Sequence, residues 1–269
     1  IYSDYGTYLD SYGRGPIFGN CTSLESIVIP ESVTRIGQYA VIGCSALTSV
    51  ALPSGLKTID YRAFGNCTSL VGITLPDSVE EIGSSVFNGC TSLLSITIPS
   101  KITEIPSSAF SGCSSLSEVN LNDNIVEIAQ WAFAGCTELE EIVLPSSLET
   151  IGTGVFNGCS KIESIEIPGT LGKLLSEVFK DCISLTSVSV GEGVVELGSD
   201  IFRGCTSLTS VSLPESLSKI DHYAFENCES LETITIPASV TSIGSSAFYN
   251  CKKLASLYMK PIAPPTLGS

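Results

Sequence analysis

Apolar residues recur along this chain on a spacing that changes character once in every 23 positions. With Cys67 as the start of a unit, Leu70, Ile73, Leu75, Val79, Ile82, Val86 and Phe87 are apolar, at offsets +3, +6, +8, +12, +15, +19 and +20. The stretch from +3 to +9, for example Leu231 to Pro237, places Ile234 and Ile236 two apart, the spacing of a strand's inward face. Proline follows at +9 in most units (Pro30, Pro53, Pro76, Pro99, Pro145, Pro168, Pro214 and Pro237), and without an N–H it ends ladder pairing. A second short extended piece carries Val240 and Ile243. Glycine at +16 (Gly37, Gly83, Gly152, Gly198, Gly244) suits a turn with positive φ. Ser245 to Phe248 then reads as an N-cap followed by one or two helical turns, with Phe248, Cys251 and Leu254 on one side.

The cysteines fix the period. Cys21, Cys44, Cys67, Cys90, Cys113, Cys136, Cys159, Cys182, Cys205, Cys228 and Cys251 each follow the last by 23 residues. A constant period of this length is the signature of a solenoid. One unit buries too little apolar surface to offset the ordering of its backbone, whereas stacked copies bury both faces and complete each other's ladders. The predicted architecture is a repeat solenoid of about eleven units over 16–259. Residues 1–15, with Tyr2, Tyr5, Tyr8 and Tyr12, read as an N-terminal cap or linker; 260–269 read as the start of a truncated further unit or a C-terminal cap. Val41 replaces the usual Phe, Asn122 and Gly191 replace the proline, and Pro106, Ala129 and Leu175 replace the glycine. The unit from Cys159, with Leu174 and Leu175 before Val178 and Phe179, is the most irregular and predicts a distorted turn without a domain boundary.

The unit C-[TS]-x-L-x-x-[IV]-x-[IL]-P-x-x-[VL]-x-x-I-G-x-x-A-F-x-[GN] resembles the BspA-like class of leucine-rich repeat, and the resemblance extends from Pro16 to about Met259. It implies a curved solenoid of the leucine-rich-repeat type, with a parallel β-sheet on the concave face and short extended and helical turns on the convex side. Members are commonly cell-surface or secreted bacterial proteins, several of them linked to adhesion.

Composition narrows the function. With 28 acidic against 13 basic residues and a net charge of −15, the chain would repel a phosphate backbone, so nucleic acid is not an expected partner. Hydrophobic residues make up 43% of the chain, yet no run approaches the ~18 consecutive apolar residues of a membrane span, and no membrane insertion is expected of this segment. The chain starts at Ile1 without a signal-type hydrophobic stretch and reads as a mature form or an excised fragment. One His, one Met and one Trp leave little material for catalysis, and no enzyme activity, cofactor or metal is expected.

The cysteine row reads as a structural ladder of buried thiols. Rungs of a parallel stack lie ~4.8 Å apart, and parallel Cβ atoms keep that separation, beyond the ~3.5–4.5 Å that a disulfide favours. A straight row without a CxxC pair also does not converge on a tetrahedral zinc site. The single histidine, His222 beside Asp221, reads as a solvent-facing turn residue. Gly13, Gly15 and Gly19 miss the dinucleotide-loop spacing. Asn20-Cys21-Thr22 and Asn66-Cys67-Thr68 match the glycosylation pattern but arise from the repeat's own consensus.

If +6 and +8 point inward, the concave face is built from +5 and +7, flanked by +4. Those stripes are mostly small and polar, as at Ser26, Ser49, Thr74, Thr97, Ser187, Ser210 and Thr235. Across three adjacent units they turn acidic, at Glu118, Glu140, Glu141, Glu163 and Glu166. Like charges one rung apart repel unless a cation or basic partner neutralises them, and these five are the candidate contact patch; the plain alternative is a solvated face that keeps the stack soluble. Trp131, on the opposite side, reads as partial packing. Two functions fit: a surface scaffold that binds a protein or glycan of a host or neighbouring cell, or a structural spacer presenting other domains. The scarcity of aromatic and Arg anchors on the concave face suits the spacer.

Overall fold

A computed structural model of the chain describes residues 8–9, 17–260 and 265–268. The chain is a parallel β-solenoid in which each coil contributes to two narrow strips. The first strip uses offsets +5 to +7 or +8, as in Ser95–Thr97, Ser164–Ile167, Ser187–Val190 and Thr233–Ile236. The second uses +14 and +15, as in Arg35–Ile36, Glu104–Ile105 and Lys219–Ile220. All pairs are parallel, and between the 23-residue units partners lie 23 residues apart, for example Ile165↔Val188 and Glu127↔Thr150. The alternation expected of the first strip is present: Ser164 and Glu166 are exposed while Ile165 and Ile167 are buried.

The third side of each coil differs from the helical turn expected from Ser-Ser-Ala-Phe. It is a chain of tight turns in which +18 and +22 are left-handed, as at Ser85 (φ 57), Ser108 (φ 55) and Ser246 (φ 55). A left-handed residue in the middle of the segment breaks any helix. The hydrogen bonds explain why the chain accepts it. Ala63, Gly65 and Cys67 donate within the coil to Asp60, Arg62 and Phe64, whereas Arg62, Phe64 and Asn66 donate to Ser84, Val86 and Asn88 of the next coil. Alternate N–H groups thus run along the solenoid axis, a third ladder that satisfies the backbone without helix. Among the described residues the one helical element is the short 3₁₀ turn Gly169–Leu171.

The +16 glycines also have a different cause from the one the sequence suggested. Gly83, Gly152, Gly198 and Gly244 are not among the positive-φ residues. A Cβ on Gly83 would meet the backbone of Asp60 and Tyr61, and one on Gly244 the backbone of Asp221 and His222. Adjacent coils approach closely there, and a glycine on one coil makes room for a larger residue on the next. Position +16 runs Gly37, Asp60, Gly83, Pro106, Ala129, Gly152, Leu175, Gly198, Asp221, Gly244, with a glycine at every step except Pro106 beside Ala129.

The core is continuous. Phe64 to Phe248 stack from coil to coil with ring centroids 5.2 to 5.7 Å apart. Val41 is buried at the corresponding place one coil earlier. In the irregular coil Gly172 has φ 55 and ψ −56, a conformation open to glycine, Leu174 is buried and Leu175 is exposed. The second strip is interrupted there, since Thr150–Ile151 pairs with Glu127–Ile128 and Lys173–Leu174 with Glu196–Leu197. The phenylalanine stack crosses the interruption, with Phe156 and Phe179 5.5 Å apart. The expected cap over 1–15 lies outside the described residues except for Tyr8–Leu9, which pairs with Arg35–Ile36; Gly13 and Gly15 also lie outside them. Of the tail, Thr266–Leu267 adds a rung beside Ser242–Ile243.

Candidate functional site

Strand pleat decides which side chains the first strip offers outward. Most are hydroxyls, and those at +4 are turned to the backbone of the preceding coil: Thr186 Oγ1 donates to the Glu163 carbonyl at 2.9 Å and Thr209 Oγ1 to the Thr186 carbonyl at 3.0 Å. They tie coil to coil and offer a ligand only a remaining lone pair.

The five candidate glutamates all lie on this face and are exposed. Glu118 and Glu141 are bridge partners on adjacent coils. Glu118 Oε1 accepts from Asn120 Nδ2 at 2.8 Å. Glu140 stands 3.6 Å from Lys161 Nζ, whose nearer partner is Glu138 at 2.6 Å. Glu141, Glu163 and Glu166 have no ion pair among the described residues. Most lysines and arginines are committed to carboxylates elsewhere, as in Arg35–Asp60, Lys57–Glu80, Lys219–Glu196 and Lys252–Glu229.

Glu141 and Glu166 border a shallow groove of about 430 Å³, with Ile142, Leu144, Ile165 and Pro168 along its walls. Its floor carries Val143, 72% exposed at the +7 place where neighbouring coils have Asn120 and Glu166. An apolar surface between two carboxylates suits a side chain with an aliphatic stem and a cationic head. The sequence held a signal for Val143, a β-branched apolar residue at an outward offset. Lys161 gave none, because its partners lie one coil back. Among the described residues no group of three or more His, Cys, Asp and Glu is placed to hold a metal ion.

The cysteine row lies inside the stack. Cys44 to Cys228 are buried, Cys21 is exposed and Cys251 half-buried; all eleven are free thiols. From Cys44 onward each thiol donates to a main-chain carbonyl 26 residues earlier, as Cys90 does to Phe64 at 3.2 Å. Burial pushes the Cys136 thiol up to about 12 and that of Cys251 to about 11. Such thiols are poor nucleophiles.

His222 is exposed on the turn ridge, where Nδ1 accepts the backbone N–H of Ser245 at 2.9 Å and lies 3.0 Å from Ser245 Oγ. Asp221 is 3.6 Å from Nε2. The backbone bond occupies the nitrogen that would have to take a proton from Ser245, so the three do not form a nucleophilic relay. Trp131 is half-buried, its ring lying over Gly154. Asn20 and Asn66 are left-handed at +22. That backbone requirement accounts for Asn in both glycosylation-like triplets.

The family model described as BspA type Leucine rich repeat region, six copies, matches residues 15–140 and 128–255. Among solved structures, the chain is similar to a leucine-rich repeat protein from Bacteroides ovatus ATCC 8483, with 27% identity and TM-score 0.72 over 100% of this chain and 88% of that one. It is also similar to a leucine-rich cell surface protein from Faecalibacterium prausnitzii A2-165, with 30% identity and TM-score 0.57 over 90% and 82%. The pneumococcal vaccine antigen PcpA shares the fold at 24% identity and TM-score 0.53, over 87% of this chain and 62% of that one. No curated protein matches the sequence.

Proposed function

Because the chain belongs to the BspA-type leucine-rich-repeat family, we propose that it is a non-catalytic scaffold of the cell surface, holding a protein ligand on its first-strip sheet and serving in adhesion. The Faecalibacterium relative, described as a cell surface protein, supports the location. A long sheet whose grooves are open and shallow suits a macromolecule better than a small molecule.

The observation that carries the contact site is the groove between Glu141 and Glu166 with Val143 exposed on its floor. In this reading a Lys or Arg of the ligand lays its stem on Val143 and its charge between the two carboxylates. Glu118, Glu140 and Glu163 add to the negative field around it. Such contacts steer association and weaken with salt. The test is binding of the purified chain to a panel of matrix proteins, basic proteins and glycans with a salt titration, alongside a Glu141→Lys/Glu166→Lys variant. Saturable, salt-sensitive binding of a basic protein, lost in the variant, is the expected result.

One observation favours a second reading, a spacer presenting other domains. Away from the acidic coils the face is largely Ser, Thr, Gly and Ala, with many hydroxyls already used between coils. Absence of binding by a folded chain, or binding that survives the double charge reversal, would put the spacer first.

A further inference from the structure

Aromatic and arginine side chains are scarce on the first-strip face, but they gather on the turn ridge opposite, at +17, +18 and +21. Position +18 is left-handed in ten consecutive coils. Five of these coils fill it with Ser85, Ser108, Gly154, Asp200 and Ser246, so a small residue satisfies the fold. Four others carry Tyr39 (φ 59), Arg62 (φ 52), Trp131 (φ 59) and Tyr223 (φ 58), and the tenth carries Glu177 (φ 62). A large side chain in this conformation is strained, and strain retained where a small residue serves points to a use.

Two clusters on the ridge share a design. Near the C-terminal end, the Arg203 guanidinium lies 5.7 Å from the centre of the Tyr223 ring and is held by Asp200 at 2.9 Å and Glu226 at 3.1 Å. Near the N-terminal end, the Arg62 guanidinium lies 5.5 Å from the centre of the Tyr61 ring, and Tyr39 packs edge-on against Tyr61 at 5.3 Å. Here no carboxylate reaches the arginine among the described residues, and its Nε is buried without a hydrogen-bond partner. Both tyrosines and Arg62 stay partly exposed.

We infer that Tyr39, Tyr61 and Arg62 form a second binding surface, on the ridge, for an acidic segment of a partner protein whose Asp or Glu carboxylate takes the place that Asp200 and Glu226 fill beside Arg203. The complementarity is specific: an unpaired guanidinium backed by an aromatic ring, on a chain whose other cations are mostly paired. Tyr and Arg are the residue types that dominate the centres of protein interfaces, and guanidinium matches a carboxylate with two parallel hydrogen bonds. The chain's net negative charge does not prevent this, because charges beyond about 8 Å are screened at physiological salt. This surface is independent of the Glu141–Glu166 groove.

The test is fluorescence anisotropy with a fluorescein-labelled decapeptide of alternating Glu and Gly, its Gln analogue and a heparin oligosaccharide as competitor. The variants are Arg62→Asn and Tyr61→Ala. Binding of the Glu peptide, with little affinity for the Gln analogue and a tenfold or greater weakening in both variants, is expected. Arg62→Asn, which places a left-handed-tolerant residue at +18, should leave the melting temperature unchanged or raise it, and should leave any basic-protein binding at the groove intact. Failure of the Glu peptide to bind, equal binding by Arg62→Asn, or a marked fall in its melting temperature would each overturn the inference. Displacement of the Glu peptide by heparin at lower concentration than by unlabelled peptide would reassign the surface to a sulfated glycan.

Discussion

The thiol of Cys136 donates to the main-chain carbonyl of Phe110, 3.3 Å away, and that carbonyl also accepts the N–H of Cys113 at 3.1 Å. One oxygen thus joins a turn within its own coil to the thiol of the next. Cysteine is suited to the place: it is small, apolar and a weak donor, so it fills the gap beside the phenylalanine stack and supplies a second, long hydrogen bond. The repetition of this contact from Cys44 to Cys251 explains the unbroken cysteine period better than a disulfide or metal framework would.

Alkaline pH should destabilise the fold through these thiols. Burial raises the folded-state value of Cys136 from 9.0 to about 12, and raises the other thiols from Cys44 to Cys251 in the same direction. A raised folded value means that the stabilisation is complete below about pH 9, where both states are protonated. It is lost as pH climbs towards 12, because the unfolded chain releases protons that the coils retain. Each such thiol contributes about 1.4 kcal/mol per pH unit in that window. The denaturant midpoint of the reduced chain should hold steady to about pH 8.5 and then fall steeply. Thiolate absorbance at pH 10 should be small in the native chain and rise to that of eleven thiols on unfolding. Full native absorbance at pH 10 would show that the ladder is open to solvent.

Much of this fold was legible in the sequence, and the parts that were not share one cause. Offsets +6, +8, +12, +15, +19 and +20 mark the core because their pattern is complete within one unit, as Ile165, Ile167 and Phe179 show. The Ser-Ser-Ala-Phe segment misleads for the opposite reason. Read alone it suits a helix, but Arg62, Phe64 and Asn66 send their N–H groups to the next coil. Position +22 behaves likewise: Asn20, Asn66 and Asp181 sit against Gly43, Gly89 and Gly204, where a Cβ would strike the larger side chain. The exposure of the five candidate glutamates on one face was legible because offset alone fixes which way they point. Their unequal partners, with Lys161 near Glu140 but not near Glu141, depend on the reach of a side chain between coils.

Glycine should therefore be needed or dispensable according to the neighbouring coil. Gly83 has an ordinary φ, but a Cβ there would press on the backbone of Asp60 and Tyr61. Backbone cannot rotate aside as a side chain can, so Gly83→Ala should cost about 2 kcal/mol or more through strain. At Gly55, also outside the positive-φ set, nothing lies within 4 Å of the added atom. Gly55→Ala should be neutral or stabilise by up to about 1 kcal/mol, through the reduced entropy of the unfolded chain. Urea midpoints of the two variants measured side by side decide the matter; equal effects would mean that coil separation at +16 is looser than the structure has it.

Trp131 offers a direct optical check on the same coil-to-coil packing. Its ring lies across the Cα of Gly154, so close that a Cβ on Gly154 would fall against the ring carbons Cζ3 and Cε3. Gly154 is also left-handed, at φ 64, so alanine there meets two penalties, contact and backbone. The cheaper response is for the indole to swing outward, since a surface side chain moves more easily than a coil. Trp131 is the only tryptophan in the chain, so its emission reports this place alone. Gly154→Ala should shift the emission to longer wavelength and increase quenching by iodide, with a stability loss of about 1–3 kcal/mol. Neighbouring coils should remain intact, because the stack of Phe133 and Phe156 lies inside them, fully buried. An unchanged spectrum and quenching constant in a folded variant would show that the indole does not rest on Gly154.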